Sequence, residues 1–408
     1  MNKLRFNTKL LHTPYLKNDV HGALQVPIYA NSAYGFENSE DISGAFKGTK
    51  PAHAYSRSSN PTVEYLEQRI KAITDGIAVL ACASGMSAIT NTIMALCNSG
   101  DNLISTRKLF GNTYALFEST LKPFGINARY ADFSNLSSIE QLIDSNTRLI
   151  FIETITNPHL EVADLKAVSA IAKKHKLVLV SDTTLTPPGM FDAKNFGIDI
   201  CVISSTKFIS CGGSSLGGVI IDNGTYEWKN NPVVKPWTLK FGLFGFISKL
   251  RKELFRNTGG CLSPFNAYLQ AIGLETMTLR VERASQNAYE LAKFLETLNG
   301  IKSVHYPGLE SSPYYAISKL QFGKYPSALL TFDLESQEVC FKFMDKLQII
   351  KRATNLSDNK SLIIHPASTI YSEFGDSINE LDIRDTMIRL SVGIEDIEDL
   401  MEDIQSAL

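Results

Sequence analysis

Asp182 and Lys207 each close a short aliphatic run, LVLVSD over 177–182 and IDICVISSTK over 198–207. Runs this short, bounded by Gly, Pro and Asp, read as buried strands, and a third, GGVIID, follows at 217–222. Open α/β sheets place ligands at the C-terminal ends of strands, where this acid and this lysine stand. The two lie 25 residues apart, room for one loop or short helix between neighbouring strands. A lysine amine can condense with an aldehyde. A carboxylate facing a pyridine nitrogen keeps that nitrogen protonated, so the ring can accept electrons from a carbanion. The pair suits pyridoxal phosphate, with the hydroxyls of Ser204 and Thr206 as donors to the phosphate. Taken alone, Asp182 also fits a turn cap and Lys207 a solvated strand end.

Ser84-Gly85-Met86-Ser87 makes a strand-to-helix turn. Free N–H groups at a helix start, backed by the helix dipole, form a phosphate cradle, although many α/β turns share this pattern. Tyr55-Ser56-Arg57 and the residues up to Thr62 precede a helix. They read either as a capped surface loop or as a Tyr/Arg pair delivered to a phosphate, which Arg grips bidentately. Arg389 stands within IRLSVG, and an Arg among strand formers is costly unless it meets an anion such as a substrate carboxylate. GSSLG at 213–217 has the spacing of a hydrolase nucleophile elbow. That motif needs a helix after its serine, whereas GVIID continues as a strand, and Asp382 after His365 is the wrong order. No dinucleotide fingerprint or P-loop occurs.

These residues need a scaffold, and the periodicity supplies one. Asn60-Pro61 opens a helix as N-cap and first residue, with Val63, Leu66, Ile70 and Ile73 as its apolar face and Gly76 as its end. Strands then alternate with helices: 77–84, 102–106, 127–132 and 148–153 against helices at 86–97, 113–122, 137–145 and 164–175. This implies a mostly parallel sheet covered on both faces. Residues 223–260 break the alternation, and 263–300 reads as a long helix interrupted at most once. Strands near 328–334, 361–365 and 386–392, with helices near 337–347 and 395–407, make a smaller second body. The expected division is an N-terminal arm (1–54), irregular and rich in Pro14, Tyr15, Tyr29, Tyr34 and Phe36, a large domain (55–260) and a C-terminal domain (261–408).

The totals narrow the class. With 408 residues and 44% apolar content the chain can build a large core. Forty basic residues against 42 acidic leave a net charge of −2, with no basic stripe for nucleic acid or membrane. No apolar run approaches the roughly 20 residues of a spanning helix, and the N-terminus lacks a signal-peptide pattern. A cytoplasmic enzyme is expected. The six cysteines form no C-x-x-C pair and the seven histidines no ligand pair, so no metal site is expected.

Seven motifs occur in order: Y-S-R-x-x-N-P-T, A-S-G-M, E-x-x-x-N-P from Glu153 to Pro158, S-D-T, S-x-T-K, H-P-A-S and I-R-L-S-V-G. Together they resemble the Cys/Met-metabolism family of pyridoxal-phosphate enzymes, of aspartate-aminotransferase-like fold type I, from about Gly22 to the C-terminus. Within it, residues 212–228, 246–280 and 355–369 are most similar to O-acetylhomoserine sulfhydrylases. The resemblance implies an α/β fold with a mostly parallel central sheet and a smaller α+β C-terminal domain. It implies Lys207 as the cofactor-bearing lysine and proton carrier, Asp182 at the ring nitrogen and Asn157 at the ring hydroxyl. Ser84, Gly85, Met86, Ser204 and Thr206 would hold the phosphate, with Tyr55 and Arg57 from a neighbouring subunit. Arg389 and Asn355 would hold the substrate carboxylate. A homodimer with shared sites, paired into a homotetramer, is implied too.

The expected reaction is γ-replacement on O-acetylhomoserine by sulfide or methanethiol. The alternatives are methionine γ-lyase or cystathionine γ-synthase and lyase activity, or, in another class, a fold-type I binding protein that has lost its chemistry. The last would have lost the lysine or phosphate site, and both are present. Three positions depart from the family pattern. Phe110 stands where a Tyr stacks on the cofactor ring and can act as an acid, Asn112 where methionine γ-lyases carry Cys, and Tyr371 where His usually closes H-P-A-S-x-x-H. Tyr114 is a nearby hydroxyl that could replace the lost one.

Overall fold

The computed structural model describes residues 4–13 and 21–408; Pro14 and Tyr15 of the arm lie outside them. A seven-stranded sheet comprises β1 (Ala78–Cys82), β2 (Asn102–Ser105), β3 (Asn127–Tyr130), β4 (Thr147–Glu153), β5 (Val178–Asp182), β6 (Ile200–Ile203) and β7 (Gly218–Asp222). Its order is β1-β7-β6-β5-β4-β2-β3, parallel except for β7, which runs against both of its neighbours. The aliphatic runs that predicted these strands are buried on both faces, whereas the edge strand β3 is exposed to half-buried. Val178 and Val180 point into one apolar cluster and Leu179 into the other, the period-two alternation of a covered sheet.

A second sheet holds β8 (Ser303–His305), β9 (Leu329–Asp333), β10 (Lys351–Arg352), β11 (Leu362–Ile364) and β12 (Met387–Ser391) in the order β10-β11-β12-β9-β8. The expected long helix breaks once, at Thr276, into Pro264–Glu275 and Met277–Leu295. Its residues up to Ala284 pack with the large sheet and those from Ala288 onward with the small one. This helix joins the two cores.

The irregular arm is corrected in part, because it contains helices Phe6–His12 and Ser39–Lys47. The second is capped by Asn38, which accepts the Asp41 N–H, and ends at Gly48 with φ 75°. Residues 223–260 likewise carry short helices, Lys235–Phe241 and Gly245–Lys249, too brief for a periodic signature. Aromatic packing fixes that region, with Trp228 stacked on Phe246 at 4.7 Å between centroids. The helix after Asn60 ends at Thr74 with Asp75 in the left-handed region, just before Gly76. Gly76 answers to packing, since a Cβ there would stand 2.8 Å from the Ile221 side chain. Helix Tyr315–Phe322 and strands β8 and β10 were not anticipated.

Candidate active site

Neighbouring parallel strands β4, β5 and β6 end together, which brings Glu153, Asp182 and the segment after Ile203 to one edge of the large sheet. Arg389 arrives from β12 of the small sheet, and between them lies a cleft of about 640 Å³. Its lining includes Ser84, Gly85, Met86, Phe110, Asn157, Asp182, Ser204, Thr206, Lys207, Asn355 and Arg389, residues spread over three hundred positions of sequence. Tyr55 and Arg57 are not in it. Both are exposed; the Arg57 guanidinium sits 5.4 Å from the Tyr55 ring centroid and donates to the Arg256 carbonyl.

Lys207 Nζ donates to Asn355 Oδ1 at 2.6 Å. Burial, aided by the Arg389 charge, pulls its pKa down to about 8, against the pull of Asp358 and Asp182. Asp182 Oδ1 accepts the Thr184 N–H at 2.8 Å, and burial raises its pKa. Glu153 lies opposite Asp182 in register, and burial with that neighbouring acid pushes it up to about 8. Two adjoining buried acids favour a cation between strand ends, and a protonated pyridine nitrogen is one. Asn355 Nδ2 donates to Asp358 Oδ2 at 3.2 Å, so the amide that receives Lys207 is held from behind.

The anion sites are equally defined. Ser84 caps the helix Gly85–Leu96 by accepting the Ser87 N–H at 3.0 Å, while the N–H groups of Gly85 and Met86 belong to the unladdered first turn. A Cβ on Gly85 would stand 2.7 Å from Ser204 Cβ, so only glycine lets the helix start approach the end of β6. Ser204 N donates to Thr184 Oγ1 at 2.8 Å. Thr206 differs from expectation: its hydroxyl donates to the Gly217 carbonyl at 3.1 Å and accepts the Gly217 N–H at 3.0 Å. That proton fastens the loop after Lys207, which leaves Ser204 as the better-placed hydroxyl for a phosphate.

Arg389 is 2% exposed; Nη1 donates to Asn157 Oδ1 at 3.2 Å and Nη2 to the Thr354 and Asn355 carbonyls at 3.0 and 3.3 Å. Its buried Nε has no partner among the described residues. Burial lowers its pKa to about 10, which still leaves it cationic at neutral pH. An orphaned guanidinium N–H beside a cleft fits a carboxylate. The cleft thus fits pyridoxal phosphate and an amino-acid carboxylate: an amine for the aldehyde, acids for the ring nitrogen, a helix start for the phosphate and a buried Arg for the carboxylate.

Phe110 lines the cleft and donates its N–H to Glu153 Oε1 at 2.7 Å. Tyr114 does not replace the missing hydroxyl, because its oxygen accepts from Arg107 at 3.1 Å and its ring packs between Tyr130 and Phe374. His365 serves the turn after β11, bonded to Ser368 and to the Asp385 carbonyl. Sequence reasoning did not assign Glu153, Thr184, Thr354 or Tyr371 to the site. Glu153 carried a signal as the acid opening E-x-x-x-N-P; Thr354 acts through its carbonyl, and the hydroxyls of Thr184 and Tyr371 bond backbone groups, partners that no side-chain pattern reports. Among the described residues no cluster of His, Cys, Asp and Glu could hold a metal.

The chain is 33% identical to an O-acetyl-L-homoserine sulfhydrylase of Corynebacterium glutamicum over 98% of its length and 96% of the relative's. It is 34% identical to an L-methionine gamma-lyase of Pseudomonas putida over 100% and 98%. Among solved structures it superposes on a Campylobacter jejuni protein named O-acetylhomoserine (thiol)-lyase with a TM-score of 0.94 and 37% identity, covering 99% of each chain. That structure bears a pyridoxyl-lysine phosphate. An O-acetylhomoserine sulfhydrylase of Wolinella succinogenes matches with 51% identity and a TM-score of 0.79, over 86% of this chain and 99% of that one. The architecture is therefore fold type I, with pyridoxal phosphate as the cofactor. The family model for Cys/Met metabolism PLP-dependent enzymes matches residues 7–408, and the chain, with the lysine, acids, cradle and arginine such an enzyme needs in one cleft, belongs to that family.

Proposed function

We propose that the protein catalyses γ-replacement on O-acetylhomoserine, with sulfide or methanethiol as acceptor, releasing acetate and forming homocysteine or methionine. The observation that carries the choice is Phe110: the residue that lines the cleft after β2 has no proton to give, and the neighbouring tyrosine hydroxyls are engaged elsewhere, that of Tyr114 with Arg107 and that of Tyr371 with the Leu109 carbonyl. Acetate leaves as a stable anion without being protonated, whereas a departing thiolate benefits from a positioned acid. The four relatives and structures named above include both sulfhydrylases and a γ-lyase, so identity alone does not divide these chemistries.

Bound pyridoxal phosphate supplies an electron sink for negative charge at the substrate's α-carbon. Arg389 orients the substrate by its carboxylate, with Asn355 fixed beside it. Asp182 holds the ring-nitrogen proton. Lys207 Nζ, with its pKa near 8, takes the proton from the α-carbon and returns it when the product forms. A proton must also leave the β-carbon, so that its electron pair forms the Cβ–Cγ double bond as the Cγ–O pair departs with acetate; the acceptor sulfur then bonds Cγ and a proton returns to Cβ. The roles of the site residues, the three-part division at 54 and 260, and a dimer with Tyr55 and Arg57 completing the partner's phosphate site belong to the same reading. So do pairing into a tetramer and a cytoplasmic location. Among the described residues no helix is long and apolar enough to cross a membrane.

The test compares kcat/KM for O-acetylhomoserine plus sulfide with that for γ-elimination of methionine, in the wild type and in Phe110→Tyr. The wild type is expected to prefer the ester, and the variant to gain about tenfold on methionine with a smaller change on the ester. A wild type that cleaves methionine faster than it uses the ester would overturn the proposal.

A further inference from the structure

The peptide unit between Leu109 and Phe110 is gripped at both ends. Phe110 N–H donates to Glu153 Oε1 at 2.7 Å, and the Leu109 carbonyl accepts from the Tyr371 hydroxyl at 2.7 Å. Asn157 is held by the same two side chains: its N–H donates to Glu153 Oε2 at 3.0 Å, and its carbonyl stands 3.3 Å from the Tyr371 hydroxyl. One carboxylate thus bridges two N–H groups and one phenol two carbonyls, with the phenol's single proton on the shorter, Leu109 arm. Tyr371 is 1% exposed and Glu153 is 7% exposed, so water does not substitute for these bonds. Burial also raises the phenol's pKa, which keeps it a donor. Gly111 permits the approach, since a Cβ there would stand 2.8 Å from the Ile370 carbonyl.

The consequence lies in what the two gripped residues do. Phe110 and Asn157 both line the cleft, and Asn157 Oδ1 is bonded by Arg389 Nη1. The Phe110 ring has no polar atom of its own to fix it, so its placement is set by its backbone. We propose that Tyr371 is a positioning residue that, with Glu153, latches Phe110 and Asn157 at the spacing the cofactor ring requires and, through Asn157, steadies Arg389. It touches neither substrate nor cofactor. The inference rests on the reading of this cleft as the pyridoxal-phosphate site.

Tyr371→Phe removes the phenol proton, which leaves the buried Leu109 carbonyl without its donor and the Asn157 carbonyl without the neighbouring hydroxyl. In the holoenzyme we expect kcat/KM for O-acetylhomoserine to fall about tenfold, mostly through kcat, and the dissociation constant for pyridoxal phosphate to rise by a similar factor. Hydrogen exchange at the amides of Phe110 and Asn157 should quicken, and the absorption band of the bound cofactor should shift. A purely structural role would lower the melting temperature and leave amide exchange and cofactor affinity at their wild-type values, which would overturn the latch. If Tyr371→Phe does not accumulate as folded protein, Tyr371→His provides the same readings. Its shorter ring reaches one carbonyl at most, so a smaller loss in kcat/KM and faster exchange at one of the two amides are expected, and wild-type values for both would overturn the proposal. Cofactor affinity and exchange do not depend on which substrate is turned over, so these outcomes stand apart from the fate of the sulfhydrylase reading.

Discussion

Lys207 approaches Asn355 Oδ1 within 2.6 Å, and burial with the nearby Arg389 charge brings its pKa to about 8 rather than the ordinary lysine range. The shift favours the free amine: the group is protonated below about pH 8 and nucleophilic above it. The rate at which cofactor-free protein captures pyridoxal phosphate should therefore rise with pH, with a midpoint near 8. A midpoint near 10, read by stopped-flow absorbance, would show that the burial does not act on this amine. Lys207→Ala should lose turnover by about four orders of magnitude or more and leave no borohydride-reducible adduct on the protein. An adduct in that variant would move the role to another lysine.

At the scale of elements, the position of Arg389 depends on the small sheet. Asp333 at the end of β9 accepts from Ser303 Oγ at 2.7 Å, Arg384 Nη2 at 2.8 Å and Thr386 Oγ1 at 2.7 Å, with His305 Nε2 at 3.0 Å. One carboxylate thereby ties β8, β9 and the approach to β12, the strand that carries Arg389. Despite its burial, these hydrogen bonds hold the Asp333 carboxyl far below the usual carboxylate range. Its folded-state pKa is depressed, so its stabilisation is fully present above the unfolded value of about 3.9 and is lost as pH falls below that. Asp333→Asn should lower stability by about 2 kcal/mol at pH 7, measured by urea unfolding, and the difference should shrink below about pH 4. An equal loss at both pH values would mean that shape, and not charge, joins the strands.

For the whole molecule, Gly85, Met86 and Ser204 line the cleft of one chain, while Tyr55 and Arg57 stand exposed outside it. A Tyr/Arg pair left outside its own chain's site is what a shared site between subunits requires. Mixing inactive Arg57→Ala protein with inactive Lys207→Ala protein should restore activity, because some hybrid dimers carry one intact site. Subunit exchange without recovery, followed by light scattering and turnover together, would count against the sharing. The helix Met277–Leu295, which runs from one core to the other, couples the two sheets within each chain, so loosening the small sheet is expected to reach the cleft through Arg389.

Most strands of the large sheet were legible because they are buried aliphatic runs, the edge strand β3 excepted, and burial on both faces leaves a composition that no loop shares. Asp182, Lys207, the Ser84 turn and Arg389 could be read for the same kind of reason: charged or glycine-bearing groups at the ends of such runs are costly unless chemistry uses them. What only the tertiary structure decided is everything carried by backbone groups and by distance. It turned the Thr206 hydroxyl onto Gly217, paired Glu153 with Asp182 across neighbouring strands, brought Asn355 to Lys207 from 148 residues away and set Tyr371 under Leu109. It also built helices at Phe6–His12 and Lys235–Phe241, too short to show a period and stabilised by contacts outside their own sequence. Residue types announce which chemistry is affordable at a strand end. Which hydroxyl stays open for it depends on carbonyls and N–H groups that every residue carries, and that only the fold distributes.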